Sequence, residues 1–288
     1  MPCARRLSSV TEGGKATPWQ RVLACGIPPT RKSIRSPQMK TVAILGGSGG
    51  LGADIAATIA RRRAVCIGYW RGRQKAQALV TQIAAGGGQA ACAEVDIRDA
   101  LSVRAFFEFA AAQGDGLEAI VSATGPAIPL RPLTSVTDAD FDRVYETDVR
   151  GAFNVLKHGT LALKAAGGGS IVMILTTAVL RTLENDGMSG GPKTAVAALI
   201  KQAAREMGPY NVRCNGAALA VIDAGIIYAS EFVGDPLAEG VIKAMVDNTP
   251  LGRMGTVAEV SAVVDFLVSP GASYINGQII GVDGGFSA

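Results

Sequence analysis

From Thr41 onward, short apolar runs alternate with stretches of helical periodicity, and the alternation repeats about six times. Few folds accept that pattern. A buried strand followed by an amphipathic helix must return to a parallel neighbour, and repeating the unit builds a doubly wound parallel α/β sheet flanked by helices, in one domain. The runs Thr41–Leu45, Ala64–Tyr69, Gln89–Val95, Glu118–Ser122, Ser170–Leu175, Asn211–Ala217 and Gln278–Val282 read as strands. Leu51, Ile55 and Ile59 mark one helix face, and further helices are expected over Arg73–Ala85 and Ala100–Gln113. Thr137 caps a helix that carries Asp138 and Asp140 in its first turn and runs toward Ala166, where Gly167-Gly168-Gly169 ends it. Val196, Leu199, Ala203 and Met207 give another face, and Thr256-Val-Ala-Glu259 is a capping box opening a helix through Leu267. From about Val221 to Pro250 the chain is poorly periodic.

Composition narrows the partners. With 288 residues, 48% hydrophobic and 18% charged, the chain can bury a sizeable core and is not of disordered type. No apolar run has the length of a membrane-spanning helix. Seven of the basic residues and a single acid, Glu12, fall within 1–38, so the +4 net charge belongs to that leader, and 39–288 is slightly acidic. That balance offers no electrostatic argument for nucleic acid. The leader is Arg- and Ser-rich and interrupted by prolines. It reads either as a transit-peptide-like segment or as a disordered extension ahead of Met39. Five scattered cysteines without a C-x-x-C pair fit a reducing, cytoplasmic setting and give no metal framework. Cys66, Cys92 and Cys214 fall in strand patterns as small buried residues, and Phe106, Phe107 and Phe109 read as helix packing. The single histidine, His158, argues against a His-ligated metal or a His-based triad and reads as a surface or interface residue.

The segment Leu45-Gly46-Gly47-Ser48-Gly49-Gly50-Leu51-Gly52 joins the first strand to the first helix. Glycines there admit positive φ and let the backbone approach a pyrophosphate, which the free N–H groups of the helix start would receive. Gly46, Ser48, Gly49, Gly50, Leu51 and Gly52 are therefore candidate cofactor contacts. No Lys-Ser/Thr follows, which disfavours a P-loop. At the end of the second strand, Tyr69-Trp70-Arg71-Gly72-Arg73 contains no acid to hold an NAD ribose. Arg71 or Arg73 instead suits a 2′-phosphate, so NADP is expected over NAD.

The glycine loop, Asp96-Ile97 after the third strand, Gly125 after the fourth, and the ending Asn276-Gly277-Gln278…Val282-Asp283-Gly284-Gly285 together resemble the short-chain dehydrogenase/reductase family. The likeness spans Met39 to Ala288 and is nearest to the 3-oxoacyl-carrier-protein reductase-like branch. The resemblance implies a single-domain Rossmann fold, an NAD(P) cofactor, a homotetramer or homodimer packed through helices, and a substrate lid over about 221–250. It also implies that Asp96 contacts the adenine, with Ile97, Ala123, Gly125 and Ile222 beside the cofactor.

The catalytic positions depart from the family. Thr176 stands where the family has Ser, and Lys193 matches its Lys. Four residues before Lys193 stands Ser189 rather than Tyr, and Asp148 replaces an Asn. A serine hydroxyl is a far weaker acid than a phenol. Gly190-Gly191-Pro192 moreover predicts a helix start there, which makes Ser189 an N-cap. Asp148 beside Lys193 is either part of a proton relay or a structural ion pair. The expected function is NADP(H)-dependent carbonyl/alcohol interconversion on a small or acyl-type substrate. Its proton would come from water relayed through Lys193, from Thr176, or from Tyr228 in the lid. Enoyl-type reduction and cofactor binding without dehydrogenase chemistry are the alternatives.

Overall fold

The computed structural model describes residues 39–228 and 233–288; the basic leader, with Cys3 and Cys25, lies outside the described residues. Seven strands form one wholly parallel sheet: β1 (Thr41–Leu45), β2 (Ala64–Tyr69), β3 (Ala90–Glu94), β4 (Leu117–Ser122), β5 (Gly169–Thr176), β6 (Val212–Leu219) and β7 (Ile279–Val282). Their spatial order is β3-β2-β1-β4-β5-β6-β7. The order reverses at β1, where β2 and β4 flank opposite sides, and a crevice opens beyond the carboxyl ends of β1 and β4.

Both faces of the sheet are covered, which is why its strands are apolar throughout rather than alternating. In β1, Val42 and Ile44 pack with Ile55 and Ile59 of α1 (Gly50–Ala60), Leu79 and Ile83 of α2 (Arg73–Ala85), and Val260 and Val264 of α8 (Val257–Val268). Ala43 and Leu45 point the other way. They join Phe106 and Phe107 of α3 (Ala100–Ala112), Leu163 of α5 (Gly151–Ala165), and Val196 and Ile200 of α6 (Gly187–Met207). Cys66, Cys92 and Cys214 are buried thiols within these layers.

Three expectations change. The helix from Thr137 to Ala166 forms within its expected bounds but is not α throughout: α4 (Asp138–Tyr145) passes directly through a π-helical turn, Glu146–Arg150, into α5. Such a turn inserts one residue into the helical repeat and re-aims the side chains on it; Asp148 on this turn is buried, at 4% exposure. Helix α6 starts at Gly187, with Asp186 as its N-cap, so Ser189 lies in the first turn and Pro192 lies inside the helix. Proline removes only the bond to the Met188 carbonyl, and burial of Met188 and Pro192 outweighs that loss. Third, the 221–250 stretch contains α7 (Pro236–Asp247), whose N-cap Asp235 accepts from the Leu237 and Ala238 amides.

Candidate active site

The glycine turn owes its shape to packing at two positions. Gly46 has φ +74°, and a Cβ on it would lie 2.5 Å from the Ala123 carbonyl oxygen. A Cβ on Gly52 would collide with the Gly46 carbonyl, so the turn and the start of α1 are mutually fitted. Gly49 is the N-cap of α1 without a side-chain acceptor, and no acid stands in the first turn. Ser48 lies toward the Trp70–Arg73 loop at the end of β2: its Oγ is 2.8 Å from where a Cβ of Gly72 would be.

Beside the turn is a cavity of about 580 Å³. Gly46, Gly49, Gly50, Leu51 and Gly52 line one end, and Ala123 and Gly125 follow from the end of β4. Thr176, Asp148, Ser189 and Lys193 form the polar wall, while Ile222, Ile227, Ile242 and Met245 close the apolar side. The structure thus assembles from six separate segments nearly all the residues singled out from the sequence. Arg71, Asp96 and Ile97 lie outside this lining, at the far end of β2 and β3.

Lys193 is fixed by its partners. Its Nζ donates to Asp148 Oδ1 at 3.0 Å and to the Thr124 carbonyl at 3.4 Å. Burial pushes the Asp148 carboxyl up, against the pull of the Lys193 ammonium. The π turn is what makes this pairing possible, since it turns Asp148 inward. Thr176 Oγ1 accepts from the Ala178 amide at 3.2 Å, which pins the rotamer and leaves its O–H free to donate.

At the far end, Arg98 holds both oxygens of Asp96, with Nη2–Oδ2 at 2.7 Å and Nε–Oδ1 at 2.9 Å, and keeps its carboxyl below the ordinary range. The Arg98 guanidinium also lies 5.5 Å from the Trp70 ring centroid. Two residues not foreseen from sequence contribute. Buried Asn154 on α5 donates to the Ile97 and Arg98 carbonyls at 2.9 and 3.0 Å, tying down the loop after β3. Its only sequence signal is an amide on an otherwise apolar helix face. Asp186 is 5% exposed and lines the cavity wall with Ser189. Tyr228 does not reach the cavity: it is 62% exposed and its hydroxyl donates to Asp223.

Comparison with known proteins agrees with this architecture. A family model described as enoyl-(acyl carrier protein) reductase matches residues 46–287. A versicolorin reductase of Emericella nidulans is 30% identical over 253 residues, 85% of this chain and 94% of that protein. A short-chain type dehydrogenase/reductase from Mycobacterium ulcerans superimposes with a TM-score of 0.79 at 28% identity, covering 88% of this chain and 91% of that one. A 7α-hydroxysteroid dehydrogenase, complexed with NADH and 7-oxo glycochenodeoxycholic acid, gives 0.75 at 28% identity, over 85% and 93% of the two chains. With its parallel sheet, glycine turn and lysine-bearing cavity wall, this chain belongs to the short-chain dehydrogenase/reductase family of oxidoreductases.

Proposed function

We propose that the protein is an NADP(H)-dependent oxidoreductase that interconverts a carbonyl and an alcohol on a small or acyl-type substrate. The observation that carries this reading is the cavity in which Lys193, held by Asp148, and Thr176 face the glycine turn at the crevice beyond β1 and β4. The residues present fit a dinucleotide. First-turn amides of α1 have no side-chain acceptor, and Gly49 and Gly50 present a surface without Cβ atoms. When bound, the nicotinamide cofactor supplies or takes up the hydride. Lys193 Nζ has a third N–H for a ribose hydroxyl, and Thr176 O–H orients the substrate oxygen.

Preference for the phosphorylated cofactor rests on charge. No acid ends β2, and Arg71 acts on the same Asp96 carboxylate that Arg98 already binds, so positive charge is in excess at the 2′-phosphate end. Arg71→Ala should weaken NADPH binding about tenfold, a loss of ~1.4 kcal/mol, and leave NADH binding unchanged. Equal losses for both cofactors would refute the assignment.

The primary test is oxidation of NADPH in the presence of β-ketoacyl thioesters and simple diketones, with Lys193→Ala as control. Turnover abolished by Lys193→Ala supports the reading; cofactor binding without turnover on any substrate overturns it. Reduction of an activated C=C bond is the second reading, favoured by the family description matched over 46–287 and by Ser189 standing four residues before Lys193. Turnover of enoyl thioesters but not ketones decides for it. Self-association as a homodimer or homotetramer belongs to the same proposal, with Phe153 and Leu161 of α5 exposed for helix packing; a monomer in light scattering would overturn that part.

A further inference from the structure

Asp186 combines deep burial with an unmet hydrogen-bonding need. It stands three residues before Ser189 and seven before Lys193, so the three lie on one face of α6. Its backbone carbonyl accepts from the Ser189 and Gly190 amides at 3.1 and 3.0 Å, which fixes the residue at the mouth of the helix. Its side chain does not cap: no first-turn amide donates to it. Oδ1 is buried with no hydrogen-bond partner among the described residues.

Among the described residues no counter-ion serves this carboxyl. Within the described cavity lining the other charged residues are Lys193 and Asp148, and these are paired with each other at 3.0 Å. On the segment leading into α6, Arg181 is engaged by the Phe286 carbonyl at 2.8 Å, and Glu184 carries no positive charge to offer. Much of the rest of the cavity lining is apolar, including Ile128, Leu130 and Met245. An ionised carboxylate is costly in such a place, whereas the protonated acid has an O–H that needs an acceptor. Burial accordingly pushes the carboxyl up to about 7, with the Ser189 hydroxyl as the smaller, opposing influence.

We propose that Asp186 is the proton donor that delivers H⁺ from its carboxyl to the substrate oxygen. This rests on the oxidoreductase reading above. In the reduction direction the carboxyl O–H bond breaks and its electron pair stays on the carboxylate. The π pair of the substrate carbonyl forms the new O–H bond, while the carbonyl carbon accepts the hydride, with its two electrons, from a reduced nicotinamide. A solvent proton then reloads the carboxylate. In alcohol oxidation the carboxylate accepts the hydroxyl proton. A group that titrates near neutrality is present in both forms under working conditions, as an acid–base catalyst requires. Ser189, whose hydroxyl is too weak an acid for this task, acts instead as a neighbour of that carboxyl.

The test uses the full chain and Asp186→Asn, which matches the native residue in size and in N-cap preference. Infrared difference spectra between the two proteins, without cofactor or substrate, are recorded from about pH 5 to about pH 9. A protonated-carboxyl band absent from the variant and vanishing near pH 7 is expected. In turnover, kcat of the variant should fall about 10²- to 10⁴-fold with NADPH affinity unchanged. Asp186→Ser, another good cap, should show the same loss if the Asn variant folds poorly. A carboxyl already ionised at about pH 5, or variants with wild-type kcat and pH profile, would overturn the proposal alone. A wild-type protein that binds NADPH but turns over no substrate overturns the oxidoreductase reading, and this proposal with it.

Discussion

Replacing Asp186 by Asn should alter stability in a pH-dependent way that needs no substrate to observe. The folded protein holds the Asp186 proton up to about pH 7, whereas the unfolded chain releases it near the ordinary value of 3.8. Between those limits the native state binds more protons than the unfolded state, so wild-type stability falls as pH rises. The interval is about three pH units, and at 1.36 kcal/mol per unit it sets a ceiling of ~4 kcal/mol. Asn cannot ionise and escapes the whole effect. Urea unfolding at a series of pH values should therefore show the variant gaining on the wild type from about pH 4 to about pH 7, then a constant gap. A stability difference that is flat over this window, or that grows toward acid, would refute the reasoning that Asp186 is held protonated by burial.

Other perturbations test neighbouring parts of the argument. Gly52→Ala forces a Cβ onto the Gly46 carbonyl. It should abolish cofactor binding in fluorescence titration while the sheet core persists in circular dichroism. Asp148→Ala leaves the Lys193 ammonium with only the Thr124 carbonyl at 3.4 Å. A loss of about 1–3 kcal/mol is expected in denaturant unfolding, and no loss would show that the pair contributes nothing to stability. Asp148→Asn, which retains a hydrogen-bond acceptor, separates the proton relay from the structural pair, since unchanged turnover excludes a relay. Thr256→Ala removes the cap in which Oγ1 accepts from the Glu259 amide while the Glu259 carboxylate accepts from the Thr256 amide. It should cost about 1 kcal/mol in thermal unfolding and leave kcat unaltered.

Much of the fold was legible in the sequence because its determinants are local or periodic. The strand runs, the glycine turn, the Thr137 cap and the Thr256–Glu259 capping box each depend on residues a few positions apart, and each stands within a residue or two of its expected bounds. Lys193 and Thr176 were likewise identifiable as site candidates, through the resemblance to the short-chain dehydrogenase/reductase family. The register of the sheet then brings the ends of β4, β5 and β6 to one edge.

Tertiary structure decided what local pattern cannot encode. Nothing in the run from Thr137 to Ala166 announces a π turn, yet that turn buries Asp148 against Lys193. The Gly-Gly-Pro signal placed the start of α6 too late, because packing of Met188 and Pro192 extends the helix past a residue that breaks isolated ones. Asp186 reads in sequence as an ordinary loop acid. Its spacing to Lys193 was visible, but its burial and its lack of a counter-ion follow only from walls contributed by residues distant in the chain. A carboxyl's proton affinity is set by the medium around it, and that medium exists only once the chain has folded.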